Sequence, residues 1–330
     1  MGDGPPGGAP RHAVFPVDVD RLAQLSIAEL RQMAATIDAL KRRILRADAE
    51  ALDGIERDLL SALADEWIGR LPGAVNAVLA DVAMGVAAGT FTEGDLARVL
   101  ERVREALVVG LVDRVTGAVG SAITGAYDLG RDEILRPLQL ALSLSLVDKH
   151  AREVLRSDTL FWVGSAWDRV LGKVVSDTIR EEVIEKGLSR KDAAAELERI
   201  LGADFPGRSR AYWETVAAAG VVRARSFGNI ESFVQAEAET YQWLAIGDAR
   251  TCPICSQLDG RMFQVSAAVQ QRDAFLAAES PEAAKAAHPW VKEADVAGKN
   301  TDELAAAGIL MPPIHARCRC TLVVGRFAGE

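Results

Sequence analysis

The chain has 330 residues, with 38 Lys and Arg against 47 Asp and Glu, for a net charge of −9. Hydrophobic residues at 49% and charged residues at 26% are globular composition and exclude a wholly disordered chain. The acidic balance excludes wholesale wrapping on nucleic acid, which draws its affinity from a basic excess. A membrane helix needs an apolar run of about 18 residues or more. The longest candidate here, Ala106–Val112, is stopped by Asp113 and Arg114, and Met1–Pro10 carries neither a basic-then-apolar signal nor a Ser or Thr at position 6 for myristoylation. A soluble, cytosol-made protein is expected. Its length favours two modest domains over one core, and 5% aromatics with alanine throughout favour helices.

Residues 1–19 read as a flexible lead-in. Ser26 to Glu29 forms a capping box, and Leu30, Met33, Ile37, Leu40 and Ile44 follow at alternating steps of three and four, the seam of an amphipathic helix. The stripe shifts phase near Ala47 and resumes as Leu52, Ile55, Leu59, Leu63 and Trp67, with Leu71-Pro72-Gly73 predicted to end it. A second capping box stands at Thr92–Asp95. Gly110, Gly117, Gly120 and Gly125 would allow close helix contact at some cost in propensity. Residues 20–150 thus read as a helical bundle and association region, with the apolar stretch Leu138–Val147 buried.

Residues 151–238 read as a helical region leading into a motif domain at 239–330. Phe161, Trp162 and Trp167 suggest a core cluster between helices. Ser189 caps a helix to about Leu201, Gly202–Gly207 with Pro206 is expected to break the chain, and a helix follows from Ser209 to about Val234. Thr240–Ile246 alternates Tyr241, Trp243 and Ala245 against Gln242 and Leu244, as a strand does. Arg261–Val265 reads as its return after the Leu258-Asp259-Gly260 turn, and Thr321–Val324 as a last strand. Between them lie Ala-rich helices broken by Pro281, Pro289 and Gly298, one capped by Thr301. The fold class is mainly α: a helical N-terminal region plus a small α+β zinc-knuckle C-terminal domain.

The cysteines are the most informative residues. There are four, as Cys252-x-x-Cys255 and Cys318-x-Cys320, and His315, one of four histidines, stands three residues before Cys318. A disulfide framework suits secreted chains, and a redox Cys-x-x-Cys opens a helix in a βαβ unit, a context not expected here. Two paired-ligand turns building a tetrahedral, structural zinc site fit best. Five candidates compete for four places. Cys252, Cys255, Cys318 and Cys320 are preferred, and a site using His315 with Cys320 is the rival. Arg250, Arg317 and Arg319 could offset the thiolate charge, and Asp248 could cap the Cys turn. A catalytic zinc would want a nearby acid, for which only Asp248 and Asp259 stand close in sequence. The deaminase His-x-Glu is missing, since His150 is followed by Ala151 and Arg152.

The run Trp243-Leu-Ala-Ile-Gly-Asp248-Ala-Arg250-Thr-Cys252-Pro-Ile-Cys255-Ser-Gln-Leu-Asp259-Gly260, with Pro312-Pro313-Ile-His315-Ala-Arg317-Cys318-Arg319-Cys320 later, resembles the C-terminal motif of phage head morphogenesis proteins. These are the minor head proteins similar to the F protein of phage Mu. The helix beginning Arg210-Ala-Tyr-Trp-Glu-Thr also resembles the family's Arg/Glu/Thr-bearing helix, and the likeness covers about residues 175–325. The resemblance implies a phage or prophage minor head protein that is not an enzyme. It would bind the portal and capsid or scaffold proteins and assist procapsid assembly and DNA packaging. Such a protein would work in the host cytoplasm and then the virion head interior, away from membranes. Packaged DNA is a further partner, through Arg317 and Arg319. The competing class is a zinc-dependent effector or nucleic-acid-processing enzyme on the same scaffold.

Overall fold

A computed structural model describes residues 27–84, 89–136, 138, 140 and 144–327. The expected lead-in, the Ser26 cap and the side chains of the Leu30–Ile44 stripe lie outside what is described. The chain divides into two units, Met1–Leu45 and Arg46–Glu330. In the first, the described residues, from Ile27 on, are helical, as part of helix α1 (Ile27–Met84).

The second unit takes up α1 from Arg46. Pro72 does not end that helix but sits inside it; its apolar neighbours Leu71, Ala74, Val75 and Val78 are buried on both sides of the proline, so packing outweighs one lost backbone bond. Next come α2 (Glu93–Val108), α3 (Leu111–Leu135) and α4 (Leu146–Gly164). The Thr92–Asp95 box forms as expected, and a reciprocal box at Ser145 and Asp148 starts α4. Beyond α4 the helices α5 (Gly172–Ile179), α6 (Arg190–Arg199) and α7 (Phe205–Gln235) follow, each preceded or followed by a wide π turn. The break expected at Gly202–Gly207 is one of these turns, Ile200–Asp204, leading directly into α7 with Pro206 in its first turn, where proline's missing N–H costs nothing.

Helix α7 is the axis of the unit. Every residue from Gly220 to Phe233 is buried, so it touches protein on all sides. Against α3 the backbones meet at glycines: a Cβ on Gly130 would fall 2.1 Å from the Arg225 carbonyl oxygen, and one on Gly228 2.2 Å from that of Tyr127. The close approach expected at Gly110–Gly125 therefore occurs one to two turns later, while Gly117 has open space around it. Charges inside this core are paired between elements. Arg225 Nε donates to Glu133 at 2.8 Å, and Arg131 bonds Asp148 at 2.5 and 2.6 Å. Tyr127 donates to the same Asp148 at 2.9 Å.

Of the stretch expected to be buried, Leu138–Val147, residues 139 and 141–143 lie outside what is described, Leu138 packs half-buried against the core, and the end is not buried. Leu144 and Val147 are exposed, and Leu146 is 82% exposed, because the Ser145 cap starts α4 with Asp148 and Ala151, not the leucine, facing the core.

The C-terminal residues form a three-stranded antiparallel sheet, order β2-β1-β3, from β1 (Ala238–Leu244), β2 (Met262–Gln264) and β3 (Thr321–Phe327). Tyr241 and Trp243 of β1 are buried as their alternation predicted. Tyr241 stacks between Phe233 of α7 and Phe263 of β2, at 5.7 and 5.8 Å. Between the strands lie α8 (Pro253–Leu258), α9 (Val265–Leu276), α10 (Pro281–Ala287), α11 (Glu293–Val296) and α12 (Thr301–Ala306). Asn300, rather than Thr301, caps the last of these. Arg272 of α9 bonds Glu231 of α7 at 2.8 Å, and His288, beyond α10, faces the Met311 carbonyl at 3.0 Å with Phe227 and Phe275 around it.

Two expectations follow. Gly130→Ala and Gly228→Ala should each destabilise by about 1–3 kcal/mol or more through overpacking, whereas Gly117→Ala, exposed in mid-helix, should stabilise by up to about 1 kcal/mol; urea unfolding monitored by circular dichroism measures all three. Burial, with the nearby Arg223 charge adding to it, lowers His288 to about 3 from 6.5, against small opposing effects of the Met311 carbonyl and Cys318. The unfolded chain therefore binds a proton below pH 6.5 that the folded one does not, and stability falls from there towards pH 3 by up to about 1.4 kcal/mol per unit. His288→Leu should cost stability at pH 7, and the gap to the parent should narrow as pH drops below 6.5.

Candidate metal centre

The Cys-x-x-Cys opens a helix after all, though not in a βαβ unit. Cys252 is the N-cap of α8, its Sγ accepting from the Cys255 N–H at 3.4 Å, and Pro253 is the first helical residue. The geometry follows from the residues: a cap side chain and a proline at the first helical position are what a helix start requires. On the opposite side, Cys318 N donates to the His315 carbonyl at 3.4 Å around Arg317, which adopts the left-handed conformation at φ 58°. The Pro312–Pro313 bond ahead of it is cis.

These two turns, about sixty residues apart in sequence, meet. His315 Nε2 lies 3.2 Å from Cys252 Sγ and 3.0 Å from Cys255 Sγ, and Cys255 Sγ lies 3.9 Å from Cys318 Sγ. Among the described residues, two groups have ligand atoms close enough to hold one metal ion: Cys252, Cys255 and His315, and Cys255, Cys318 and Cys320. Cys255 belongs to both. Sulfurs around a tetrahedral zinc stand about 3.8 Å apart, given Zn–S of about 2.3 Å, so the Cys255–Cys318 spacing suits such an ion. The donor set, four thiols and an imidazole, is the soft set that zinc prefers.

The electrostatics point the same way. Hydrogen bonding with Cys255, then with Cys320 and His315, holds the Cys318 thiol well below its ordinary value despite burial. His315 is raised to about 9, first by its bond with Cys318, and its Nδ1 faces the Ala316 carbonyl at 2.7 Å, leaving Nε2 for the cluster. Hydrogen bonding with Cys318, then with Cys320, together with burial pushes the Cys255 thiol up, so the cluster retains protons that a bound cation would displace.

The arginines expected to offset the thiolates are engaged with carboxylates instead. Arg319 bonds Asp248 at 2.6 Å and Asp53 at 3.0 Å, Arg250 reaches Asp53 at 3.4 Å, and Arg317 pairs with Glu214. Asp53, on α1, and Glu214, on α7, were invisible from the motif; no sequence signal ties Asp53 to a residue 266 positions away. Asp248 does accept the Arg250 N–H at 3.0 Å, as the turn predicted, and against a desolvation cost the Arg319 bond holds its carboxyl below the ordinary range. Asp259 accepts the Ala245 N–H at 2.9 Å. Both acids near the cluster thus serve the local backbone.

Residues 173–323 match the family described as Phage Mu protein F like protein. That stretch is similar to this family. The match runs from α5 into β3 and includes every member of the Cys/His cluster, in agreement with the resemblance read from the motif. No curated protein and no solved structure matches the chain. Among the described residues no single helix is long and apolar enough to cross a membrane.

Cys255 is shared by both ligand groups, so its loss is the one substitution that breaks both. Reduced, purified protein should carry about one zinc per chain by elemental analysis. Cys255→Ser should abolish stoichiometric metal, whereas one of the single substitutions at Cys252, His315, Cys318 or Cys320 should leave it bound; a metal-free parent protein would remove the site.

Proposed function

We propose that this protein is a phage or prophage minor head protein that binds the portal, assists procapsid assembly and DNA packaging, and acts without catalysis, with a structural zinc tying its C-terminal turns together. The observation that carries the reading is the convergence of both turns of the F-like motif on one cluster, Cys255 at its centre, within the family-matched segment. The ion would be held by four of Cys252, Cys255, His315, Cys318 and Cys320, and would supply cross-linking: structural zinc contributes apparent binding energies on the order of 10–16 kcal/mol in small domains.

A non-catalytic role is supported by the surroundings. Five soft donors crowd the centre and compete for its coordination positions, where a catalytic zinc keeps one open for water. The two nearby carboxylates, Asp248 and Asp259, are occupied by Arg319 and by backbone N–H groups. For partner contact, the described part of the association region offers exposed apolar side chains at Leu144, Leu146 and Val147, a grouping that favours protein contact over solvent. Capsid and scaffold proteins are the further partners of this reading, and the paired state of Arg317 and Arg319 leaves DNA a minor one.

Co-expression with the portal protein of the same phage or prophage should yield a complex that survives affinity purification, and Leu146→Glu should weaken it at least about tenfold while leaving the circular dichroism spectrum unchanged. Absence of any portal complex with the parent chain overturns the assignment of the partner.

A further inference from the structure

An apolar cavity of about 270 Å³ opens beside α7 and shares no residue with the cysteine cluster. Its walls are Trp162 of α4, Tyr212 and Val216 of α7, Phe275 of α9 and Trp290. Several polar groups in these walls are engaged within the protein. Tyr212 donates to the Trp162 carbonyl at 2.7 Å, and the Trp162 indole N–H donates to Asp158 at 3.3 Å. Asp158 in turn accepts from Arg223 at 3.0 Å, both side chains being more than nine-tenths buried, and the Arg223 guanidinium lies 4.9 Å from the Phe275 ring centroid. The cavity thus carries a mutually neutralised Arg223–Asp158 ion pair among its lining residues, with Arg223 Nε left without a partner.

The charge at the mouth is not neutralised. Lys285 lies 5.8 Å from the Trp162 ring centroid, and among the described residues no carboxylate stands within ion-pair distance of it. Arg169, against the same ring, is paired with Glu282. A guest completing this site carries apolar, preferably aromatic, surface for the walls and a carboxylate for Lys285. The volume lies just below the range of about 300–1,000 Å³ typical of small-molecule pockets and accommodates one aromatic side chain. Val170 and Trp290, lining residues that are 40% and 42% exposed, carry the apolar surface outward. A small molecule filling the cavity would leave them in water, whereas a polypeptide bearing the anchor would cover them, in the manner of an interface hot spot and its surround.

We propose that this cavity is the anchor socket for a partner protein segment that inserts one aromatic side chain against Trp162 and Trp290 and sets a neighbouring carboxylate on Lys285. This contact is independent of the metal and of the portal assignment, and goes beyond both.

The test uses the full chain and three probes: N-acetyl-Glu-(4-fluoro-Phe)-Glu-amide, its Lys-flanked counterpart, and free 4-fluorophenylacetate, titrated by fluorine NMR. The acidic peptide should bind saturably and at least about tenfold more tightly than the basic one, and Lys285→Glu should reverse that order. Ala219→Trp, which fills the cavity, should remove binding. Should that variant fold poorly by circular dichroism, Trp290→Ala, at an exposed position, should still weaken the acidic peptide several-fold. The proposal is overturned by no saturable binding, by equal affinity for both peptides, by binding indifferent to Lys285→Glu and Trp290→Ala, or by phenylacetate binding as tightly as the acidic peptide, which would assign the cavity to free aromatic acids.

Discussion

Helix α7 has to be buried on every side while carrying Arg223, Arg225 and Glu231, and the architecture of the second unit answers that constraint. A buried charge without a partner costs several kcal/mol, and removing one member of a buried pair typically costs about 3–5 kcal/mol. Each of the three is met from a different helix: Asp158 of α4, Glu133 of α3 and Arg272 of α9. The partners are thereby placed around one axis, and the glycines at 130 and 228 let α3 come near enough for the Arg225–Glu133 bond to form. Asn229, one residue after Gly228, donates to the Gly130 carbonyl at 2.8 Å and to Glu133 at 3.2 Å, so the close approach and the ion pair support each other.

The same helix sets the sheet. Phe233, near the end of α7, begins the stack that runs through Tyr241 to Phe263, and β1 follows after one left-handed residue, Glu237 at φ 56°. With β1 fixed as the middle strand, its exit leads into the Cys252 turn, while Cys320 immediately precedes β3 on the neighbouring strand. Two short segments distant in sequence therefore arrive together because the strands they adjoin are paired. A metal would reinforce a juxtaposition that strand pairing already creates. On the outer side of the cluster, Asp53 holds Arg319 and Arg250, tying α1 to the turn that bears Asp248.

Some of this was readable directly. The reciprocal cap at Thr92, the side-chain cap at Ser189 and the alternation in β1 depend on neighbours within a few residues; both caps stand where their patterns placed them, and the strand lies two residues earlier than expected. The failures share a cause. Pro72, Gly202–Gly207 and Leu138–Val147 were read by local rules, and in each the surrounding core overrode them: helix α1 gains more from burying Leu71 and Val75 than it loses at the proline, a π turn absorbs the glycines, and the Ser145 cap decides which face of α4 meets the core. The small-residue contact was anticipated in kind but placed too early, because spacing alone does not say which glycine lies opposite another backbone.

By itself the sequence determined the helical character of the chain, the three strands, the five soft donors at 252, 255, 315, 318 and 320, and the family resemblance, since these rest on residue type and short-range order. Only the tertiary structure decided that the donors converge on Cys255, that the motif arginines are held by Asp53, Asp248 and Glu214, and that a cavity with an unpaired lysine at its mouth lies beside α7. Those depend on contacts between residues tens to hundreds of positions apart, and it is packing around the buried helix, not any local preference, that brings them within reach.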